Sequence, residues 1–183
     1  MSKLPTVNFR HMGINVTDID RMTDFYCRVM GFVISDEGVA SFGSRIVFLT
    51  QDPEEHHQLV LIDGRPDDVS FNTINQFSCK LESLSDLRGY FNLLTEHGVE
   101  KIDQVDHGNA WSMYFPDPEG NFIEFYVDTP FYSPQPCREA LDLTQGDDEI
   151  LKRTETMCRD RPGFISRDEW QVGIRERIAA KRY

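Results

Sequence analysis

At 183 residues the chain has the length of one domain, or of a domain with an appendage, and can bury a core without cross-links. Its formal net charge of −12 argues against general nucleic-acid binding and against anionic membrane surfaces, and no run of about 18 apolar residues offers a membrane span. The four cysteines are scattered without a C-x-x-C pair, and the opening residues MSKLPTVNFRHM lack the apolar core of a signal peptide, so a cytoplasmic protein with reduced thiols is expected.

Residues 9–16, FRHMGINV, alternate in the manner of a strand: His11, Gly13 and Asn15 share one face, and Met12, Ile14 and Val16 the other. Thr17 or Asp18 can cap the helix that follows, whose apolar stripe is Met22, Phe25, Tyr26, Val29 and Met30, and Gly31 ends it. Three short strands are expected next, Phe32–Ser35, Arg45–Leu49 and His57–Ile62, with breaks at Asp36-Glu37-Gly38 and Gln51-Asp52-Pro53. Parity does not choose between His56 and His57 for the inner face.

The pattern then returns. Residues 74–81, INQFSCKL, read as a strand with Gln76, Ser78 and Lys80 on one face. Ser83 or Ser85 can cap a helix with the stripe Leu84, Leu87, Phe91 and Leu94, closed by Gly98; His97 beside it reads as structural. Strands around Ile102–Val105, Trp111–Phe115 and Phe122–Val127 complete the second copy. Each half is therefore βαβββ, modules at about 8–63 and 74–128, and the fold class is α+β: tandem modules forming a curved mixed sheet, with helices behind and a polar face inside. Residues 129–146 read as an irregular linker, Glu149–Cys158 as a helix begun by Asp147 or Asp148, and residues 167–180 as a last helix with Trp170, Ile174 and Ile178 in line. The expected division is a domain over 1–128 and a helical tail over 129–183, packed on the core or on a partner subunit.

The stretch His107–Glu124, HGNAWSMYFPDPEGNFIE, organises the rest. It reads as strand, tight Asp-Pro-Glu-Gly-Asn turn, strand, with Glu124 among apolar neighbours. A carboxylate there needs something positive, either an arginine at a sheet margin or a metal ion where histidines are at hand. The two modules, and the run Val105, His107, Met113-Tyr114, Asp117-Pro118, Gly120, Glu124, resemble the vicinal oxygen chelate superfamily and most closely its type I extradiol dioxygenases. The pair His56-His57 before Gln-Leu-Val-Leu is similar to the extradiol catalytic domain as well. The resemblance covers roughly residues 8–128.

It implies a divalent metal, Fe(II) or else Mn(II) or another divalent ion, with His11 and Glu124 as ligands, His57 as an acid/base, and His107 and Tyr114 hydrogen-bonded to substrate. Gln76 stands where the family's second histidine ligand is expected; glutamine serves as a ligand elsewhere in the superfamily, and His57 can also enter the coordination shell, which would remove it as a base. The candidate metal set is thus His11, His57, Gln76 and Glu124. The implied partners are a small aromatic diol and dioxygen, and a second copy of the chain, because small members commonly pair modules across a dimer. A glyoxalase-like isomerase or lyase, and a non-catalytic binding protein of the bleomycin-resistance kind, are the alternatives.

Overall fold

The computed structural model describes residues 8–69 and 71–180; most of the N-terminal stretch read for a leader, residues 1–7, lies outside the described residues. The chain forms two compact units: one runs to Gln76 and takes in Pro116–Phe122, the other comprises Phe77–Phe115 and the chain from Ile123 onward.

The first unit holds β1 (Met12–Val16), α1 (Ile19–Arg28), β2 (Val33–Val39), β3 (Arg45–Thr50) and β4 (Leu59–Asp63). Its sheet has the order β1-β4-β3-β2, with β1 parallel to β4 and the remaining pairs antiparallel. Alternation decides the faces: Ile14 and Val16 are buried, whereas His11, Gly13 and Asn15 are exposed. Asp18 caps α1 by accepting the Arg21 N–H at 3.0 Å, and Met22, Phe25 and Tyr26 on the predicted stripe are buried. The break expected at Asp36-Glu37-Gly38 does not occur, and β2 runs through it. This edge strand is exposed along its whole length, so packing does not penalise the acidic pair or the glycine, and a bulge between Ile34 and Asp36 absorbs the irregularity.

The second unit holds β5 (Phe77–Lys80), α2 (Leu84–Glu96), β6 (Asp103–Asp106), β7 (Ala110–Pro116) and β8 (Phe122–Asp128), then β9 (Phe131–Tyr132), β10 (Glu139–Ala140), α3 (Asp147–Arg159), β11 (Ile165–Ser166) and α4 (Arg167–Ala180). Its main sheet has the order β10-β6-β7-β8-β5, with β5 parallel to β8, which repeats the β1/β4 arrangement. β5 starts at Phe77, later than the predicted 74–81, where its parallel register pairs Phe77 with Ile123, next to the first residue of β8. Phe115 and Phe125, with rings edge to face at 5.1 Å, lie in the apolar core with Met113, Ile123, Leu87 and Leu94. Helix α2 closes as a Schellman turn: Gly98 has φ +75°, and its N–H and that of Val99 donate to Thr95 and Leu94 carbonyls at 3.0 Å. At the other end the Ser83 hydroxyl accepts the Asp86 N–H at 3.1 Å. Ser83→Ala is therefore expected to lower stability by about 1 kcal/mol, read from urea unfolding.

Residues 129–146 hold the two-residue strands β9 and β10, the latter paired to β6. Helix α3 starts from Gly146, without a side-chain cap, and Asp147, Asp148 and Glu149 occupy its first turn, where the helix dipole favours them. It buries Ile150, Thr154 and Cys158. Helix α4 has the predicted bounds but buries no residue; Trp170 stacks on Tyr132 at 5.5 Å, and Ile178 is exposed.

Candidate functional site

The structure places the candidate residues in two groups, one in each unit. In the first unit His11 lies one residue before β1, and His57 lies two residues before β4 rather than at its start. The parallel register of β1 and β4 carries their approaching ends side by side, with the Met12 N–H donating to the Gln58 carbonyl at 3.1 Å. The His11 and His57 rings consequently stand 4.3 Å apart. His56 joins them, its Nδ1 2.9 Å from the Nδ1 of His57, so one of the two nitrogens donates and the other accepts. Phe48 on β3 sets its ring edgewise against His57 at 5.1 Å and His56 at 5.6 Å. Desolvation, then the neighbouring His11 and His56, push the His57 imidazole below its ordinary value of 6.5. A neutral ring at neutral pH keeps the lone pair that a base or a metal ligand needs.

In the second unit a hydrogen-bonded chain crosses the sheet. Ser78 on β5 stands in register with Glu124 on β8, and its hydroxyl donates to Glu124 Oε2 at 2.5 Å. Tyr114 on β7 donates to Glu124 Oε1 at 2.5 Å. His107 follows at the β6–β7 turn, with Nε2 2.9 Å from Tyr114 Oη and Nδ1 2.6 Å from the Cys137 carbonyl oxygen. That carbonyl can only accept, so Nδ1 carries a hydrogen. Burial, reinforced by Glu124, raises the Tyr114 phenol above its ordinary value, so it stays a donor at neutral pH. The Arg138 guanidinium lies 5.8 Å from the centre of the Tyr114 ring.

The structure brings His107, Tyr114 and Glu124 together in the second unit, and His11 and His57 together in the first. Gln76 is half-buried, one residue before β5, the position that His11 holds before β1. Among the described residues no group of three or more His, Cys, Asp or Glu stands in an arrangement for a metal ion. Ser78 is a further member of the Glu124 group; its signal was its shared parity with Gln76. The contributions of Cys137 and Arg138 carried no sequence signal, since the resemblance stops before the tail. The four cysteines are free thiols, and burial pushes Cys79 and Cys158 up to about 11, which leaves them protonated at neutral pH and poor as ligands.

The chain repeats the βαβββ order, and residues 8–125 match the family described as the Glyoxalase/Bleomycin resistance protein/Dioxygenase superfamily. The chain belongs to that superfamily. Among its relatives, biphenyl-2,3-diol 1,2-dioxygenase 2 of Rhodococcus globerulus is 29% identical over 127 residues, 67% of this chain and 64% of that one. The catechol-2,3-dioxygenase of Bacillus subtilis is 28% identical over 137 residues, 70% of this chain and 45% of its own. The chain therefore matches less than two thirds of the length of either enzyme. Of the solved structures with this fold, a fosfomycin resistance protein of Listeria monocytogenes complexed with Mn(II) and sulfate superposes with a TM-score of 0.53 at 17% identity, over 68% of this chain and 95% of that one. Among the described residues no helix is long and apolar enough to cross a membrane.

Proposed function

We propose that this chain is a divalent-metal-dependent oxidoreductase of the extradiol type, which opens a catechol-like ring with dioxygen. The observation that carries the reading is the His107–Tyr114–Glu124 chain, with contacts of 2.9 and 2.5 Å, in a chain whose relatives include enzymes named for biphenyl-2,3-diol and catechol. His11, Gln76 and Glu124, with His57 as a fourth donor, are the residues that would hold the metal. Imidazole nitrogens, an amide oxygen and a carboxylate suit a borderline cation such as Fe(II) or Mn(II). When bound, such a cation polarises the two oxygens of a vicinal diol and gathers diol and dioxygen at one centre.

The chain's own residues supply the remainder. His57, kept neutral by its surroundings, accepts a diol proton if it stays outside the coordination shell. Tyr114 stays protonated and can turn its O–H hydrogen bond from Glu124 to a substrate oxygen that develops negative charge. His107, with Nδ1 engaged by a carbonyl, turns Nε2 toward Tyr114 and passes or holds one proton there.

The test loads the protein anaerobically with Fe(II), adds catechol and biphenyl-2,3-diol, and then admits air. Oxygen uptake with a yellow ring-fission product is expected. Metal-dependent turnover without oxygen uptake overturns the reading in favour of an isomerase, which Gln76 favours; ligand binding without a metal requirement leaves a binding protein. Gln76→His is expected to tighten Fe(II) binding by about tenfold or more, the smallest change that a remodelled coordination environment usually gives. Weaker binding in that variant counts against Gln76 as a ligand.

A further inference from the structure

We propose that the segment after the family domain, from Thr129 to Cys158, is a brace that fixes His107, with Gln135, Thr154 and Asp106 as positioning residues. The role given to His107 rests on the function proposed above; the brace itself rests on geometry within the second unit.

Three ties converge on the turn that carries His107. The first holds the ring: the Cys137 carbonyl takes the Nδ1 hydrogen at 2.6 Å, which leaves Nε2 facing Tyr114. The second holds the backbone and the first tie together. Gln135 Nε2 donates to the His107 carbonyl at 2.8 Å, while Gln135 Oε1 accepts the Cys137 N–H at 2.9 Å. One side chain thus bridges the residue whose ring is held and the residue whose carbonyl holds it. The third fixes the flanks of His107. Asp106 Oδ1 accepts the Gly108 N–H at 2.8 Å, and Asp106 Oδ2 accepts the Thr154 hydroxyl at 2.5 Å. Thr154 is fully buried on α3 and also accepts the Trp111 indole N–H at 2.8 Å. Buried polar groups so connected lose their geometry together when one is removed.

Gly108 records how closely the tail approaches. Its φ is +76°, and a Cβ built there would stand 2.8 Å from Cys158 Sγ and 3.2 Å from Ser133 Cβ. The Gly108 carbonyl accepts the Thr129 hydroxyl at 2.5 Å. Only a residue without a side chain fits a backbone pressed against the tail in a left-handed conformation. An imidazole oriented by a partner on its far nitrogen is the usual device for aiming the near one.

The test uses the full chain labelled with 15N at histidine, in long-range 1H–15N spectra at neutral pH. The wild type is expected to show a single His107 species with a protonated Nδ1. Thr154→Val, which keeps the shape but removes the hydroxyl's hydrogen bonds to Asp106 and Trp111, and Gln135→Ala, at an exposed position, are expected to give a mixture of tautomers. Thr154→Ser is expected to restore the single species. A His107 that lacks the Nδ1 proton in the wild type, or that keeps one species in both variants, overturns the brace. Where the wild type consumes oxygen with a diol, Thr154→Val should lower kcat by about ten- to a hundredfold with KM little changed. An intact spectroscopic result with no wild-type turnover would fail the proposed function and leave the brace standing.

Discussion

Glu124→Gln is expected to weaken Fe(II) or Mn(II) binding more than about 100-fold, beyond what the loss of an outer partner of a ligand usually costs. The carboxylate is the one acidic donor in the proposed set, and both of its oxygens already receive hydroxyl hydrogens at 2.5 Å, from Tyr114 and Ser78. An amide in its place keeps the volume but loses the charge and offers one hydroxyl a donor instead of an acceptor. Anaerobic equilibrium dialysis with metal analysis reads the affinity, and near-ultraviolet circular dichroism checks that the aromatic packing around Phe125 survives. Tyr114→Phe gives the contrast. It should weaken metal affinity by no more than about ten- to a hundredfold, since the phenol is an outer partner, while turnover falls by about 10²- to 10⁴-fold, the range for a lost proton donor. Unchanged metal affinity in Glu124→Gln would remove the carboxylate from the coordination shell, and with it the extradiol reading.

The parts of this fold that were legible in the sequence are those set by local rules. Ser83 and Gly98 bracket α2 because a hydroxyl caps orphan N–H groups and a glycine accepts φ +75°. The Tyr114 and Glu124 spacing is set by one turn between neighbouring strands, so their hydrogen bond is a short-range consequence of the sequence. The cluster around His57 was less legible. His57 lies in a loop before β4, where strand parity has no meaning, and its approach to His11 follows from the register of two strands far apart in the chain. The tail was least legible. Thr154 and Gln135 look like ordinary polar residues of a helix and a linker, and their ties to Asp106 and His107 span 48 and 28 positions. The break expected in β2 failed for a different reason: turn-forming residues do not end a strand that lies exposed at a sheet edge and has a bulge to absorb them.

Asp117→Ala is expected to destabilise the protein by about 3–5 kcal/mol in urea unfolding, because it strands several donors at once. Asp117 is 4% exposed and belongs to the turn between β7 and β8. Its Oδ1 accepts the N–H groups of Glu119 at 3.0 Å and Asn121 at 2.8 Å, which shapes the turn. Its Oδ2 accepts the Asn121 side-chain amide at 2.8 Å and the Tyr26 hydroxyl at 2.9 Å, which docks the turn on α1. Tyr26 is fully buried and cannot turn to water for a substitute. Glu119 makes a second attachment from the same turn, its Oε1 accepting the Thr17 and Asp18 N–H groups at 2.7 Å, so the turn stays near α1 and the stranded donors stay buried. The pH dependence separates this account from simple loss of packing. Burial pushes the Asp117 carboxyl above its ordinary value of 3.8, against the pull of its hydrogen bonds. With the folded value above the unfolded one, the folded state binds more protons within that window, and stability falls as pH rises through it. The contribution of Asp117 is therefore largest below the unfolded value and smaller, though still positive through its hydrogen bonds, at neutral pH. The stability gap between wild type and Asp117→Ala should narrow as pH rises from acid to neutral; a gap below about 1 kcal/mol throughout, or one that widens with pH, would sink the assignment.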